Sequence, residues 1–377
     1  MLEGLIDMAS GGYYRHPYPA ARVERLGGFV FINMDANAPS LAEYLGADAL
    51  SHIKAWKLED RYVYLHVSKR LPCNWKLAIE AFQEAYHVIE THPQVAPSNG
   101  DANSQYDVYG EHVDRFISTL GVVSPHLYGK VSEQDVLDQF TIGDSSALGD
   151  SAKPMLQQGQ SARAFMANMF RGMFEQATNT DLSKVSDSEL LDCFSYTVFP
   201  NTFLFPGISL PMVYRFRPDK NDHRKCLYEV LFLRPVPVDG KRPMPAEPIH
   251  LRDEQSFTEA AGMDPGFGAI LDQDTDNVGL QQEGIEAATV IDGLQGVGRN
   301  ARAHRPLKRR IRGEGGKGGC ATAARGKPRN SVLTGGCGRF SSEARGRPAL
   351  AAQRSRTSRN VAASTSAAWF VAITVPP

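Results

Sequence analysis

The sequence lacks the long apolar runs found in membrane proteins and in secreted precursors. No run of about eighteen apolar residues occurs in the chain, so the sequence predicts no transmembrane helix. Charged residues interrupt the first segment at Asp7, Arg15 and Arg22, and no secretory signal is predicted. We therefore expect a cytoplasmic protein with no membrane partner.

Cysteine is scarce, and the few cysteines lack the spacing of a metal knuckle or a disulfide framework. No pair is arranged as C-x2-C, and the number of cysteines is odd. We interpret them as buried or incidental thiols in a reducing compartment. The five are Cys73, Cys193, Cys226, Cys320 and Cys337.

Acidic residues are scarce in one part of the chain only. Residues 299–359 contain 17 Lys and Arg but 2 Asp and Glu, a net charge of +15, whereas the rest carries −16. This Gly-, Arg- and Ala-rich segment has almost no apolar periodicity and is predicted to be disordered. We favour loss of the coding frame near residue 290 as its origin. The alternatives are an ordinary disordered tail and a basic arm for nucleic acid or anionic surfaces, although nucleic acid is not an expected partner.

The most informative stretch is Asn74–His92, NWKLAIEAFQEAYHVIETH. Its apolar periodicity predicts one amphipathic helix, with Glu80, Glu84 and His87 on one stripe. Pro93 disfavours helical geometry at the residue before it, so the helix is expected to end near His92.

Two histidines in this stretch are candidate metal ligands. Neutral imidazole binds iron, zinc or copper, and two histidines with one carboxylate form the open triad of non-haem Fe(II) oxygenases. A step of five residues places His87 and His92 about 140° apart on an ideal helix, so both reach one ion only if the helix loosens or ends between them. The alternative is a polar helix face with two unconnected histidines.

The longer pattern N-W-K-x3-E-x-F-x-E-x-Y-H-x4-H resembles the iron-ligand motif of Rieske-type ring-hydroxylating oxygenases, in the catalytic domain of the large (alpha) subunit. The resemblance implies that His87 and His92 bind mononuclear iron. It also implies that Glu84 bridges to the Rieske cluster of a neighbouring subunit. Many dioxygenases of the family carry Asp at that place, so Glu84 favours the monooxygenase and demethylase branches.

The resemblance also implies a third ligand, a carboxylate in an acidic cluster before Q-x-G. Here the cluster precedes Gln282-Glu283-Gly284 and offers Asp272, Asp274 and Asp276. The family spacing of eight residues before Gln282 selects Asp274, and the other two remain alternatives. Any of the three would also suit a solvated acidic loop or a helix N-terminus.

Strand-like runs followed by helices predict an α+β fold. The resemblance narrows this to the helix-grip (START/Bet v 1-like) type, an antiparallel sheet around a long C-terminal helix that begins near Asp274 and runs through Ile285–Ile291. The expected strands include Arg61–Val67, Glu111–Val123 and Tyr196–Leu204, and residues 93–110 are expected to form a polar loop.

A hydrophobic substrate pocket is expected near the ligands. The Met- and Phe-rich helix Ser161–Gln176 forms either a wall of that pocket or plain core. The candidate pocket residues are Phe82, Asn201, Met169 and Met173.

The sequence thus predicts three parts: residues 1–45 after a missing Rieske domain, a catalytic domain over 46–295, and the basic tail 296–377. The family's [2Fe-2S] cluster needs two Cys and two His as C-x-H and C-x2-H, and this chain contains neither pattern. The predicted function is O2-dependent hydroxylation of an apolar or aromatic molecule at Fe(II). The resemblance implies a ferredoxin or reductase as the source of electrons, and a homotrimer or alpha–beta oligomer as the assembly. A helix-grip binding module without turnover and a zinc hydrolase are the alternatives.

Overall fold

The computed structural model describes residues 6–7, 12–13, 21–142, 154–220, 222–287 and 369–374. In this part of the chain the helices are α1 (Leu41–Leu45), α2 (Ala47–Ala55), α3 (Trp75–Glu80), α4 (Val88–Thr91), α5 (Glu133–Ile142), α6 (Ala162–Thr178), α7 (Asp187–Leu191) and α8 (Pro265–Ala287). The strands are β1 (Ile6–Asp7), β2 (Gly12–Tyr13), β3 (Arg22–Leu26), β4 (Phe29–Asn33), β5 (Arg61–Leu71), β6 (Gln105–Tyr109), β7 (Val113–Ser118), β8 (Cys193–Val198), β9 (Thr202–Phe205), β10 (Met212–Asp219), β11 (Asp222–Pro235), β12 (Pro248–His250) and β13 (Phe370–Thr374).

One eight-stranded sheet organises these elements. Its strand order is β12-β5-β11-β10-β9-β8-β7-β6. Seven of its strands pair antiparallel, and only the short β12 runs parallel to β5. The structure therefore confirms a fold that mixes helices with a largely antiparallel sheet.

Side chains alternate between two buried faces of this sheet. Phe203 and Tyr214 point into one core, which we call core A, together with residues of α3 and α8. Their neighbours Leu204 and Val213 point into the opposite core, core B, together with residues of α1, α2 and β4. Successive residues of a strand face opposite sides, so each strand of this region serves both cores.

Helix α8 is the longest helix of the described residues and packs on core A through Leu271 and Val278. It begins nine residues before the predicted start at Asp274, because Pro265 suits the first helical turn and the Asp264 carboxylate accepts the Phe267 N–H at 2.7 Å. The predicted last residues, 288–291, lie outside the described part. No helix within that part is long and apolar enough to cross a membrane.

The predicted strands are correct in place but not always in extent. Tyr196–Leu204 is not one strand; it forms the hairpin β8–β9, which turns at the cis Phe199–Pro200 bond. The expected polar loop 93–110 is also partly wrong, since it contains β6, an edge strand that pairs with β7. Alternation alone did not locate these turns.

The basic tail supplies one strand that its composition did not predict. Strand β13 pairs antiparallel with β4, and β4 pairs with β3. Trp369, just before β13, is fully buried in core B and donates its indole N–H to the Pro39 carbonyl at 3.2 Å. The prediction of disorder is wrong for residues 369–374, because the large aromatic side chain of Trp369 packs into the apolar core B. Residues 296–368 lie outside the described part.

Candidate metal centre

The central stretch is not the single helix that its periodicity predicts. Helix α3 begins at the N-cap Asn74, whose side chain accepts the Lys76 N–H at 3.0 Å, and ends at Glu80. Helix α4 starts only at Val88, after a non-helical segment over residues 81–87. This break removes the 140° separation that the two histidines would have on one continuous helix.

Side chains replace helical carbonyls as hydrogen-bond acceptors in this segment. The Glu84 carboxylate accepts the backbone N–H groups of Tyr86 and His87, the latter at 3.2 Å. The Ala85 N–H is held by the Tyr106 hydroxyl of β6 at 3.2 Å. Gln83 donates its side-chain amide to the Thr197 hydroxyl of β8 at 3.0 Å. The interruption is therefore stabilised by Gln83 and Glu84 within the segment and by Tyr106 and Thr197 of the sheet.

Three side chains converge beneath the interruption. His87, His92 and Asp274 each offer one ligand atom, and these atoms lie within 4.8 Å of one another. Asp274 Oδ1 lies 2.8 Å from His92 Nε2 and 3.5 Å from His87 Nε2. Asp274 comes from α8, so the centre joins the two parts of the chain that the sequence singled out.

Each histidine is oriented by an acceptor on its other ring nitrogen. His87 Nδ1 lies 2.7 Å from Glu84 Oε1, and His92 Nδ1 lies 2.8 Å from Gln273 Oε1. Gln94 donates its amide to the same Gln273 oxygen at 2.7 Å. In the neutral ring, a proton held on Nδ1 leaves the Nε2 lone pair directed at the centre, which is the arrangement that metal-binding histidines need.

Electrostatics at the centre favour a positive charge. Burial opposes ionisation of His87, but hydrogen bonds with Asp274 and Glu84 outweigh it and raise its pKa to about 10. Burial alone would raise the pKa of Asp274, but hydrogen bonds with both histidines lower it below its ordinary value. A divalent cation bound between the three side chains would supply this positive charge.

The donor set fits iron. Two imidazole nitrogens and one carboxylate oxygen form the open facial arrangement typical of non-haem Fe(II), and zinc accepts the same donors. The separations of 2.8 and 3.5 Å are close to the spacing of ligands that share one ion. All three residues are buried or half-buried.

The two competing aspartates of the acidic cluster face elsewhere. Asp272 accepts hydrogen bonds from Ser256 Oγ and from the Phe257 N–H at 3.0 Å, so it caps a short 3₁₀ helix. Asp276 is exposed. Among the three, only Asp274 is brought to the histidine pair.

An aromatic cluster lies in core A beside the centre. Phe82 contacts Tyr214 and Tyr228, with ring centroids 5.0 and 5.7 Å apart. Burial raises the pKa of both tyrosines, and the negative charge of Asp274 adds to the effect, which places their hydroxyls in the field of the centre. Of the predicted pocket residues, Phe82 is thus in the neighbourhood of the candidate ligands.

The other predicted pocket residues lie in different surroundings. Asn201 sits at the β8–β9 turn, where its side-chain oxygen accepts the Thr202 hydroxyl and the Val371 N–H. On α6, Met169 is half-buried and Met173 is 39% exposed. Helix α6 buries Met166 in a third core with residues of α5 and α7, so the core interpretation of this Met- and Phe-rich helix is the one that the packing supports.

Sequence reasoning gave no role to Gln273, Tyr106 or Thr197. Each acts on the centre or its supporting segment only through a contact made on folding, and no local pattern marks them. The acidic run that contains Gln273 was recognised, but the side chain itself carried no signal.

Comparison with known proteins points to one family. The family model "Ring hydroxylating alpha subunit (catalytic domain)" matches residues 47–313. The carnitine monooxygenase oxygenase subunit of Acinetobacter pittii is 42% identical over 84 residues, which is 20% of this chain and 21% of that protein. The glycine betaine monooxygenase oxygenase subunit of Pseudomonas aeruginosa is 31% identical over 74 residues, 20% of this chain and 17% of that protein. The matched segment thus covers about a fifth of these curated relatives.

Two solved structures align with part of this chain. A quaternary ammonium Rieske monooxygenase bound to an inhibitor aligns with 71% of this chain and 52% of its own, at 15% identity and a TM-score of 0.42. Naphthalene 1,2-dioxygenase from Rhodococcus sp. bound to indole aligns with 72% and 56%, at 16% identity and a TM-score of 0.38.

Proposed function

The chain belongs to the family of ring-hydroxylating oxygenase alpha subunits, through their catalytic domain, and from this premise we propose that it hydroxylates a small molecule with O2 at a mononuclear non-haem Fe(II) centre. The observation that carries the proposal is the convergence of His87, His92 and Asp274 within 4.8 Å. We propose these three as the iron ligands and Glu84 as the residue that bridges to a Rieske cluster.

The protein's own contribution is to hold the ligands and to exclude water. Glu84 and Gln273 keep the two Nδ1 protons in place, so both Nε2 atoms face the centre. Asp274 supplies the negative charge on the third side, and the rings of Phe82, Tyr214 and Tyr228 form a dry wall in core A. Iron held there would supply the oxidation chemistry, while these residues fix the geometry and the polarity around it.

The electron supply is proposed from the family. Its members use a Rieske [2Fe-2S] cluster, and residues 1–377 contain no C-x-H and C-x2-H pair to hold one. We therefore propose that a ferredoxin or reductase passes electrons to a Rieske-containing subunit, which delivers them to the iron by way of Glu84. The subunits would assemble as a homotrimer or an alpha–beta oligomer. Without that partner, reductase and NADH alone are expected to give no product, whereas peroxide is expected to give some.

The domain boundaries are proposed as the sequence predicts them. The family match over residues 47–313 supports the proposed start of the catalytic domain at residue 46, after 1–45, but it extends 18 residues past the proposed end at 295. The eight-stranded sheet with α8 across core A supports the helix-grip description. The tail 296–377 is not a separate unit throughout, since β13 belongs to the sheet of β4.

Two substrate classes follow from different observations. The buried rings of core A favour an apolar or aromatic molecule, as the sequence predicts. The relatives named for carnitine and glycine betaine favour a quaternary ammonium compound, and aromatic faces also suit an organic cation. Peroxide-driven turnover with carnitine, glycine betaine and naphthalene, followed by product analysis, would separate the two classes.

Iron content tests the ligand assignment directly. Alanine at His87, His92 or Asp274 is expected to remove most of the iron from protein prepared with Fe(II), because each loss leaves two ligands. The matched controls Asp272→Ala and Asp276→Ala are expected to keep about one iron per chain, since neither carboxylate faces the histidines. Metal analysis after desalting gives the answer; iron retained by His87→Ala contradicts the assignment, and zinc in place of iron supports a hydrolase.

A further inference from the structure

A half-buried cation without an acidic partner among the described residues lies at the start of β5, outside the metal centre. The Arg61 guanidinium donates to the carbonyls of Gly207 at 3.0 Å and Trp56 at 3.4 Å. Among the described residues, no carboxylate oxygen lies within 4 Å of it. Partial withdrawal of an arginine from water favours pairing with an anion, because an uncompensated charge is costly where the dielectric is low.

The surroundings of Arg61 oppose its charge. Burial lowers the pKa of Arg61 to about 10, and the neighbouring carboxylate of Asp60 offsets only part of the effect. Asp60 is itself exposed, so water screens its charge. The guanidinium therefore retains unused capacity to bind an anion.

Arg61 lines a groove that has the size of a small-molecule site. The cavity has a volume of about 440 Å³ and is open to solvent on one side, within the range of about 300–1,000 Å³ typical of ligand pockets. Its walls are largely apolar and come from the end of α2, the end of α6, the loop between β9 and β10, and the end of β11 with the segment after it. They include Trp56, Phe174, Ile208, Pro211, Pro235 and Val238.

The polar lining of the groove is biased toward positive charge. Lys57 lies beside Arg61, and Asp60 is the only acidic residue among those that line the cavity. Lys57 has a left-handed backbone conformation, φ 46°, which is uncommon outside glycine and turns the chain at the groove's edge. None of His87, His92 and Asp274 lines this groove, so it is distinct from the candidate metal centre.

We propose that this groove binds an organic anion with a flat apolar body, seated between Trp56 and Phe174, with its carboxylate or sulfonate on the Arg61 guanidinium. An anion there gives the half-buried guanidinium a charged partner, and a planar guanidinium can form two parallel hydrogen bonds with such a head group. The apolar walls of the groove would contact the apolar body of the ligand. This site is separate from the proposed oxygenase reaction and does not depend on it.

A pair of fluorescent probes separates charge recognition from apolar contact. Anilinonaphthalene sulfonate carries the anionic head, and phenylnaphthylamine has nearly the same rings without it. In titrations of the full-length chain, Arg61→Gln is expected to weaken sulfonate binding about tenfold or more, because a charge-assisted hydrogen bond is lost. Binding of the neutral probe is expected to change less than about twofold.

Two controls distinguish a site from a general effect. Arg224→Gln removes an exposed arginine that pairs with Glu286 and is expected to leave both probes unaffected. His87→Ala is expected to leave sulfonate affinity unchanged, which separates this site from the metal centre even if the oxygenase assignment fails.

A second variant covers the case in which Arg61→Gln does not fold. Val238 is 62% exposed and lines the cavity, so Val238→Glu adds a negative charge without touching the contacts of Arg61. It is expected to weaken the sulfonate probe, while Val238→Gln does not. The proposal would be overturned if the wild type, Arg61→Gln and Val238→Glu bound the sulfonate probe equally well. It would also be overturned if the variants lost affinity for the charged and the neutral probe to the same extent. Arg61 would then serve only to link two backbone carbonyls.

Discussion

At the residue scale, Asp114 is the side chain least suited to its surroundings. It lies on β7 directly opposite Thr197 of β8, so both side chains occupy the same sheet face as Gln83 of the interrupted segment. Its Oδ1 is buried and has no hydrogen-bond partner among the described residues. Burial raises the pKa of Asp114 to about 8, and the neutral acid is therefore favoured in the folded protein at neutral pH.

Asp114→Asn tests this protonation state. The unfolded carboxyl ionises near pH 4, whereas the folded one holds its proton up to about pH 8. The wild type therefore loses stability as the pH rises through this window, because the unfolded state binds fewer protons there. The asparagine variant is expected to lack this decline and to gain about 1–3 kcal/mol relative to the wild type at pH 9.

Urea unfolding at pH 5, 7 and 9 measures the difference. Asp253→Asn serves as the control, because that carboxylate is 56% exposed and lies 3.8 Å from Arg70. Parallel pH profiles for the wild type and Asp114→Asn would show that Asp114 is ionised in the fold.

Glu84 combines two tasks that a single substitution can separate. One oxygen accepts from His87 Nδ1, and the other accepts backbone N–H groups. Glu84→Gln keeps one acceptor oxygen but removes the charge, so it is expected to retain iron while electron transfer from a Rieske partner slows at least tenfold. Single-turnover kinetics with reduced partner, alongside metal analysis, would measure both. Iron loss in this variant would move Glu84 into the ligand set.

At the same scale, the sequence marked the histidines and the acidic cluster but not the residues that orient them. His87 and His92 were visible because a local motif contains them both. Gln273 was not, because its partner His92 is 181 residues away in the chain and any glutamine in a helix would look the same. The preference for Asp274 over Asp272 and Asp276 depends on a family spacing, because nothing in the local sequence distinguishes the three aspartates.

At the scale of elements, the break between α3 and α4 was hidden by good helix propensity. The stretch Asn74–His92 contains three alanines and three glutamates, and both residue types favour a continuous helix. The competing hydrogen bonds are accepted by the hydroxyls of Tyr106 on β6 and Thr197 on β8. Tertiary contacts therefore override propensity here, and only Pro93 gave a sequence signal that the helix would stop.

Gln282 links α8, which carries Asp274, to the start of α3, which precedes the segment with the two histidines. Its side-chain oxygen accepts the Asn74 N–H at 2.9 Å, while its amide donates to Glu286 at 2.8 Å. Gln282→Ala leaves the start of α3 without this acceptor and is expected to cost about 1–2 kcal/mol of unfolding free energy. Iron affinity should fall with it, because the histidine stretch and α8 are no longer joined at that end.

Chemical denaturation and iron titration of Gln282→Ala would check both effects. Gln281→Ala, one residue away on the half-buried side of the same helix, is the matched control and should change little. Wild-type stability in Gln282→Ala would mean that water replaces the lost acceptor.

At the scale of the whole molecule, core B depends on a residue from the far end of the chain. Trp369 is fully buried, lies 5.9 Å from the Arg22 guanidinium and precedes a strand that covers the edge of β4. Trp369→Ala is expected to destabilise the protein by about 3–5 kcal/mol, as a large buried aromatic does when truncated. Phe370→Ala should cost far less, since Phe370 is 44% exposed. Thermal or urea unfolding compares them; equal stabilities would mean that β13 does not hold in solution.

The pairing of β13 with β4 also has a practical consequence. The strand is held by its ladder with β4, by the buried indole and by the Asn201 contact, none of which needs a covalent link to residue 287. The two pieces are thus complementary fragments in the sense of a split protein. A synthetic peptide that spans residues 368–377 should reassemble with a chain that stops before it, and its capture would provide a reporter for the folded state of core B.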